Sequence, residues 1–366
     1  MTVLHQSAQH ILQADTRYVI SRNVWQWPVS LAGTCFVPDP SDHRSDLVWE
    51  EDVAHIMRRQ QSITGPDGSF PVVNYRMKGT RRWDIPLRVT RTLNAPLEDG
   101  EADPAINPRK RRLRNAIFKA RMEREIQSAQ IIKDPAIVTQ NITLGATERF
   151  DAIASTSSDP MAVLRVACRK INEGTGLKVT DIIIPQAGYL EMCRHEKIMA
   201  EAVNKLNLTS DRVTIDNNII ERLIDDDLIE KGAVKTYKVW FNNTDDGPHA
   251  TDLIKRVYPM GNMVIVLARA KAGGSGDQSD YGFGLLKYWD VVKQAFPNDP
   301  EVEIVTGNEG FGVYNFPLFD VAGGGDQSQL ADAAVPFVQQ ELAAFAIYGA
   351  FNAANTAAYG DLFSSY

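Results

Sequence analysis

Long apolar runs are missing from this chain of 366 residues. A helix that crosses a membrane needs about 20 consecutive, mostly apolar residues. The most apolar late stretch, residues 333–351, is interrupted by Gln339, Gln340 and Glu341, which are costly to place in lipid. The N-terminus also lacks a basic segment followed by an apolar core, so no secretory signal is visible. The sequence therefore argues against a membrane protein and against secretion.

Cysteine is scarce, and the three that occur are widely spaced: Cys35, Cys168 and Cys193. They form no CxxC pair and no disulfide framework, a pattern that suits a reducing compartment. Motifs for common chemistries are missing as well. The chain has no GxxxxGK[ST] phosphate loop, no HExxH metal helix and no GxSxG nucleophile elbow.

Some weaker candidates for a catalytic, metal or phosphate site remain. They are a histidine in an acidic loop (His249), three consecutive aspartates (225–227), a cysteine–histidine pair (Cys193 and His195) and two glycine-rich segments (273–276 and 323–325). Histidines and aspartates in such loops are usually solvated, and side chains two residues apart on a helix point to different sides. The glycine segments lack the strand–loop–helix context of a phosphate site. The sequence therefore predicts no metal, no cofactor and no catalysis.

The composition is that of a folded protein, with 44% hydrophobic and 23% charged residues. The net charge of −7 is unevenly distributed: residues 1–133 carry 20 basic and 15 acidic side chains, and residues 134–366 carry 19 and 31. Within residues 58–124 the counts are 16 basic and 7 acidic. Such a basic segment binds polyanions or meets acidic surfaces of its own kind, and the charge alone does not decide between them.

The first 50 residues predict an extended arm. Pro28, Pro38 and Pro40 interrupt any periodic pattern, and the large aromatic side chains of Trp25 and Trp27 are costly to leave in water. We expect the arm to lie on its own domain or on a neighbouring subunit.

Residues 70–93 predict a basic β-hairpin, with a strand over 70–77, a turn at 78–81 and a returning strand over 83–93. Its cations are Arg76, Lys78, Arg81, Arg82, Arg88 and Arg91. Because an isolated two-stranded hairpin is only marginally stable in water, this one needs a partner surface.

A long helix is predicted from Asn107-Pro108 to about residue 132, before Asp134-Pro135. Its apolar stripe is Leu113, Ile117, Phe118, Met122, Ile126 and Ala129. Its first turns contain a run of cations: Arg109, Lys110, Arg111, Arg112 and Arg114. Because cations at this end oppose the helix dipole, at about 0.3–1 kcal/mol each, something outside the helix should compensate them.

The remainder of the sequence predicts an α+β body with mixed sheets and no internal repeat. Helices are expected from Asp159-Pro160 to Gly174, over 186–206 and over 217–224, and strands over 181–185, 234–241, 263–268, 302–305 and 312–321. Residues 273–284 predict a flexible loop, and residues 329–366 are expected to be partly helical, starting near Pro336.

This order of elements resembles the major capsid proteins of tailed double-stranded DNA bacteriophages, the Hong Kong 97-type fold that encapsulins share. The pattern lies in Asp159-Pro160-Met161, Gly174-Thr175-Gly176, residues 181–185, Tyr189-Leu190 and His195, with Asp103-Pro104 before the basic run. The resemblance implies an N-terminal arm (1–50), an extended loop (51–98), a spine helix and peripheral domain (99–179), an axial domain (180–305) and a return to the peripheral domain (306–330). Residues 331–366 do not fit this pattern and are expected to form a C-terminal extension.

The resemblance also implies a function. Hexamers and pentamers would form an icosahedral shell around double-stranded DNA, bound without sequence specificity, in the host bacterial cytoplasm. Separate scaffold and portal proteins are expected, with a decoration protein as a further candidate. Two alternatives stay open: an encapsulin-type compartment that encloses cargo protein, and a soluble cytosolic enzyme with an unrecognised site.

Site residues follow from the same resemblance. Arg109, Lys110, Arg111, Arg112 and Arg114 would face packaged DNA or pair with acidic neighbours in the shell. Arg76, Lys78, Arg81 and Arg82 would meet acidic patches of the next subunit. Trp25 and Trp27 would anchor the arm at an interface, or pack within their own subunit.

Overall fold

The computed structural model describes residues 29–41, 43–51, 77–94, 108–206, 214–225, 227–239, 241–242, 256–269, 282–289, 303–306, 311–317 and 326–352. The predicted arm anchors Trp25 and Trp27, the hairpin residue Arg76 and most of the predicted loop at 273–284 lie outside these ranges. In the part of the chain that is described, no helix is both long enough and apolar enough to cross a membrane.

The helices of the described residues mostly begin and end where local sequence signals place them. They are α1 (Leu31–Cys35), α2 (Pro108–Lys133), α3 (Pro160–Thr175), α4 (Gln186–Met192), α5 (Glu196–Leu206) and α6 (Asn217–Ile224). The predicted long helix is confirmed as α2, a 26-residue helix that spans about 39 Å. For α3, Asp159 accepts a hydrogen bond from the Ala162 N–H, and Gly176 ends the helix at a φ of 72°, a conformation that favours glycine.

The single helix predicted over 186–206 is wrong, because the chain breaks between α4 and α5. At the break, the buried His195 accepts a hydrogen bond at Nδ1 from the Lys197 N–H (3.3 Å), and its Nε2 lies 3.0 Å from Ser158 Oγ. His195 therefore caps the start of α5, and its contact with Ser158 depends on the tertiary structure.

Among the described residues, the strands form two larger sheets and two smaller pairs. They are β1 (Phe36–Ser41), β2 (Ser45–Glu51), β3 (Met77–Asp84), β4 (Leu87–Asn94), β5 (Asn141–Thr143), β6 (Asp181–Pro185), β7 (Val234–Tyr237), β8 (Phe241–Asn242), β9 (Arg256–Val257), β10 (Val264–Leu267), β11 (Gly284–Trp289), β12 (Glu303–Thr306), β13 (Phe311–Pro317), β14 (Asp326–Val338) and β15 (Ala344–Tyr348). The six-stranded sheet has the order β1-β11-β14-β13-β12, with β4 also on β14, and the five-stranded sheet has the order β5-β15-β10-β6-β7. The α+β class is confirmed.

The predicted hairpin over 70–93 is wrong. Its turn residues 78–81 lie inside β3, which pairs antiparallel with β2, whereas β4 pairs with β14. The chain passes from β3 to β4 through Ile85-Pro86, where Ile85 and the preceding Trp83 are buried against Ala331 and Ala333. Burial of these two apolar side chains fixes the chain at that point, so the two strands part there and do not pair with each other.

Residues 31–41 of the predicted arm pack on the body of their own chain, one of the two placements expected for it, although residues 31–35 are helical and not extended. Leu31, Cys35 and Phe36 are fully buried, and β1 pairs in parallel with β11 at the edge of the six-stranded sheet. Pro38 and Pro40 interrupt helical periodicity in the sequence, but they are compatible with an edge strand because an edge leaves some N–H positions unpaired.

The prediction of partial helix is wrong for most of residues 329–352, where the only helical turn is a 3₁₀ turn at Glu341–Ala343, and residues 331–352 are not an extension; residues 353–366 lie outside the described residues. Strand β14 lies inside the six-stranded sheet, and β15 pairs with β5 and β10 in the five-stranded sheet. Phe351 is buried over Gly188, where an added Cβ would lie 2.4 Å from the phenyl ring. The alanine-rich sequence favours helix locally, but strand pairing on both sides overrides that preference.

One contiguous hydrophobic core joins α1, α2, α3 and both larger sheets. Strands β6 and β10 are buried at every position, which accounts for their continuous apolar sequences, because a strand covered on both faces does not alternate. This core holds α2 in a fixed position, whereas Trp83 and Ile85, at the passage from β3 to β4, belong to a separate small cluster with Ala331 and Ala333.

Candidate functional site

The β2–β3 pair forms a two-stranded ribbon, and within the described residues neither strand pairs with a third. The register places Arg81 opposite Val48 and Arg82 opposite Leu47. The side chain of Arg82 is exposed. A two-stranded ribbon buries little of its own surface, so it is the part of this fold that most needs a partner.

The base of the ribbon is rigidly attached to the six-stranded sheet. Arg44 Nε donates to the Ile85 carbonyl (3.1 Å), and the Ile85 N–H donates to the Arg44 carbonyl (2.9 Å). The Lys287 ammonium lies 5.6 Å from the ring centroid of Trp83, within cation–π range. The base of the ribbon is therefore fixed by apolar, hydrogen-bond and cation–π contacts.

The basic run of the spine helix lies in its first turns, as predicted. Residues 109–114 are helical, and the first turn of α2 contains no acidic residue. The helix therefore offers no carboxylate of its own at the end where cations oppose the helix dipole. What faces the five cations of this run stays a prediction.

The middle of the spine helix carries buried charges that the sequence did not reveal. Arg124 and Asp332 are 3% and 2% exposed and form an ion pair, in which Arg124 Nε donates to Asp332 Oδ1 at 3.0 Å. Arg88 of β4 approaches the other carboxylate oxygen at 3.4 Å. Asp332 therefore joins α2, β4 and β14. The predicted apolar stripe is confirmed at Ile117, Met122 and Ala129, but no sequence signal identified its polar neighbours.

Glu125 is the second buried charge of the spine helix. Its carboxylate accepts hydrogen bonds from the N–H groups of Leu31 (2.8 Å) and Ala32 (3.3 Å) and from the Tyr237 hydroxyl (3.3 Å). Burial raises the pKa of Glu125, and these hydrogen bonds oppose the rise. The carboxylate is thus a structural acceptor, because every described partner is a donor that belongs to the fold.

The five-stranded sheet has its own buried charge at Asp181 of β6. Its carboxylate pairs with Lys235 of β7, and Arg269 Nε lies 3.8 Å away. The Thr180 hydroxyl donates to the same carboxylate at 2.7 Å. These contacts tie neighbouring strands together and leave the carboxylate satisfied.

The candidates for catalysis are placed in structural roles where the structure describes them. Burial raises the pKa of the thiols of Cys35, Cys168 and Cys193, and a protonated thiol is a poor nucleophile. Because the Lys197 N–H donates to His195 Nδ1, the proton resides on Nε2 and is donated to Ser158. The Ser158 hydroxyl in turn donates to the Arg149 carbonyl at 2.6 Å, so the pair is not arranged as a base and nucleophile.

Metal sites are likewise missing from the described residues, which contain no group of three or more histidine, cysteine or acidic side chains that could hold an ion. The Asp227 N–H donates to Asp225 at 3.3 Å, a local loop contact. His249, Asp226 and the glycine segments at 273–276 and 323–325 lie outside the described residues.

Comparison with solved structures identifies the fold. A phage-related protein of Bordetella bronchiseptica RB50 aligns with a TM-score of 0.62 and 14% identity, over 93% of this chain and 96% of the other. The mature capsid of bacteriophage PhiM1 (9% identity, TM-score 0.46, 88% of each chain) and the capsid of cyanophage P-SCSP1u (8%, 0.45, 86% and 84%) align more loosely. No protein-family model and no curated protein sequence matches the chain. The predicted Hong Kong 97-type fold is confirmed.

Proposed function

We propose that this chain, which has the Hong Kong 97-type phage capsid fold, is a structural major capsid protein. It self-assembles as hexamers and pentamers into an icosahedral shell that encloses double-stranded DNA. The observation that carries the proposal is the structural likeness to a phage-related protein over nearly the whole length of both chains. The β2–β3 ribbon supports it, because within the described residues neither strand pairs with a third, and an isolated pair of strands is marginal without a partner surface such as another copy.

The ribbon is proposed to bind a neighbouring subunit through its cations. Lys78, Arg81 and Arg82 lie along β3, and Arg76 directly precedes it. Residues 134–366 carry 19 basic and 31 acidic side chains, so a second copy offers the complementary charge. Contacts of this kind contribute to orientation and association rate more than to affinity.

A charge reversal tests the ribbon. We expect the double variant R81E/R82E to stay folded but to fail to form particles, because like charges would meet across the contact. The matched control is R169E/K170E, which reverses two adjacent exposed cations on α3. Sedimentation and electron microscopy measure the result. Normal particles from R81E/R82E would contradict the ribbon contact.

The basic run at the start of the spine helix is proposed to face the packaged DNA. Arg109, Lys110, Arg111, Arg112 and Arg114 provide five cations within two helical turns, a density suited to nonspecific phosphate contacts. The competing role is pairing with acidic neighbours in the shell.

Neutralisation separates these two roles. Replacing Arg109, Lys110, Arg111 and Arg112 by glutamine should leave shells that form but retain less DNA, measured as the ratio of absorbance at 260 and 280 nm. Lys119→Gln, an exposed position later on the same helix, is the control. Unchanged DNA content would favour pairing with acidic neighbours.

The proposal extends to partners and location. Trp25 and Trp27 would anchor the arm at a subunit interface. Scaffold and portal proteins would be separate chains, a decoration protein is a further candidate, and the assembled chain would reside in the virion capsid after assembly in the bacterial cytoplasm.

Electron microscopy of the purified protein, with absorbance at 260 and 280 nm on the same fraction, tests the function as a whole. Closed uniform particles with high nucleic-acid absorbance support the virus shell. Particles that enclose protein without nucleic acid would instead indicate an encapsulin-type compartment. A small oligomer that persists when scaffold and portal are co-expressed would overturn the capsid proposal and favour a soluble enzyme.

A further inference from the structure

The two larger sheets meet at a hydrogen-bonded junction. Backbone pairing continues from the β10–β15 ladder into the β11–β14 ladder without a break. The contacts are Leu267 paired with Ala344, Ala268 N–H to the Ala343 carbonyl (2.8 Å), Phe283 N–H to the Ala268 carbonyl (2.9 Å), Gln339 N–H to the Phe283 carbonyl (2.9 Å), and Gly284 paired with Val338. The orientation of one sheet relative to the other is therefore decided at this junction.

Residues 30–41, which we call the strap, pass directly over the junction. The strap consists of α1 and β1, and Phe36 lies where the two elements meet. The Phe36 ring centroid is 5.6 Å from that of Phe283. A Cβ added at Gly284 would lie 2.5 Å from the Phe36 ring, so this contact requires glycine on the sheet side.

Glu125 of the spine helix holds the first end of the strap. Its two carboxylate oxygens accept the N–H groups of Leu31 and Ala32, at 2.8 and 3.3 Å. The Tyr237 hydroxyl donates to the same carboxylate at 3.3 Å and brings in β7 of the five-stranded sheet. Glu125 and Tyr237 are both buried, so water cannot readily replace these bonds.

The second end of the strap belongs to the six-stranded sheet. Strand β1 pairs in parallel with β11 from Phe36 to Ser41, and Asp39 forms an ion pair with Lys287 of β11. The strap therefore contacts the spine helix through Glu125, which also binds Tyr237 of the five-stranded sheet, and it contacts the six-stranded sheet through β11.

We propose that the strap acts as a clamp that holds the two larger sheets in one relative orientation. The hydrogen bonds of Glu125 hold the strap in place. When the Glu125 contacts are lost, the junction opens locally before either sheet unfolds. Glu125 is thus a positioning residue, because it limits the opening of junction amides with which it makes no contact.

Amide hydrogen exchange on the full chain tests the clamp, because it measures local opening segment by segment. Glu125→Gln removes the charge and one acceptor oxygen at nearly constant volume. We expect the amides of Ala268, Phe283 and Gln339 to exchange at least about tenfold faster, while those of Ile182 and Ile183 in β6 keep their rates. Glu123→Gln, at an exposed position on the same helix, should change neither set.

A second variant disturbs the contact between the strap and the six-stranded sheet. Gly284→Ala places a methyl group 2.5 Å from the Phe36 ring and 3.2 Å from the Phe337 carbonyl of β14, and it should produce the same local acceleration with Glu125 intact. It also serves if Glu125→Gln does not fold. The clamp is refuted if the folded variants leave the junction amides unchanged, or if they accelerate junction and β6 amides equally, since that would report global destabilisation.

Discussion

Asp332 in the six-stranded sheet and Asp181 in the five-stranded sheet are both buried carboxylates, but their cations lie in different surroundings. Arg124, the nearer partner of Asp332, is 3% exposed and the second partner Arg88 is 28% exposed, whereas the Asp181 partners Lys235 and Arg269 are 28% and 40% exposed. The first pair is sealed from water, and the second remains open on the cation side. The free-energy cost of removing one partner should therefore differ between the two ion pairs, because it depends on whether the remaining partner can reach solvent.

The largest effect is expected from breaking the sealed pair. Asp332→Asn leaves the buried guanidinium of Arg124 without its carboxylate, which should lower the free energy of unfolding by about 3–5 kcal/mol. Asp181→Asn should cost about 1–3 kcal/mol, because Lys235 and Arg269 can turn to water. Urea denaturation of both variants measures the difference. Equal losses would contradict the comparison.

A smaller, pH-dependent effect is expected from His195, a buried group that is neutral. Burial, aided by the charge of Lys197, lowers the pKa of His195, and Asp159 and Glu196 oppose the shift. Because the unfolded chain then binds the proton more readily, the His195 contribution to stability is complete above about pH 6.5 and is lost as the pH falls below it. Protonation would also place an N–H at Nδ1 against the Lys197 N–H.

Urea midpoints between pH 5 and pH 8 check this sign. The wild type should lose stability toward pH 5, and His195→Gln should lose less over the same interval while being less stable at pH 8. His43→Gln, at an exposed position, should keep the wild-type slope. If the pH dependence of stability is unchanged in His195→Gln, then His195 is not its source.

The smallest effect, and one of opposite sign, is expected at Ser128. Its hydroxyl is buried on the spine helix and has no hydrogen-bond partner among the described residues. Ser128→Ala removes an unsatisfied polar group and adds helix propensity, so it should stabilise the chain by up to about 1 kcal/mol. Thermal or urea unfolding measures it, and a clear loss of stability would show that the hydroxyl is satisfied.

Local signals in the sequence placed most helices correctly. Asn107-Pro108 and Asp134-Pro135 bracket α2, and Asp159 and Gly176 bracket α3, because caps and prolines act within one helical turn of their own position. The order of these elements was also enough to predict the capsid fold.

Contacts between residues that are distant in sequence could not be predicted. The sequence identified strands near residues 77–94 but not that β3 pairs with β2 and β4 with β14. Neither Arg124 nor Glu125 is distinguishable in sequence from a solvated helix charge, because Asp332 and the Leu31 N–H lie far away along the chain.

The spine helix, its basic first turns, the apolar core strands and the α+β class could be predicted from the sequence, since each depends on residues within a few positions of one another. The places of residues 31–41 in the body and of the alanine-rich residues 331–352 in the two larger sheets follow from tertiary contacts. Strand pairing and charge burial are satisfied by groups that meet only when the chain folds.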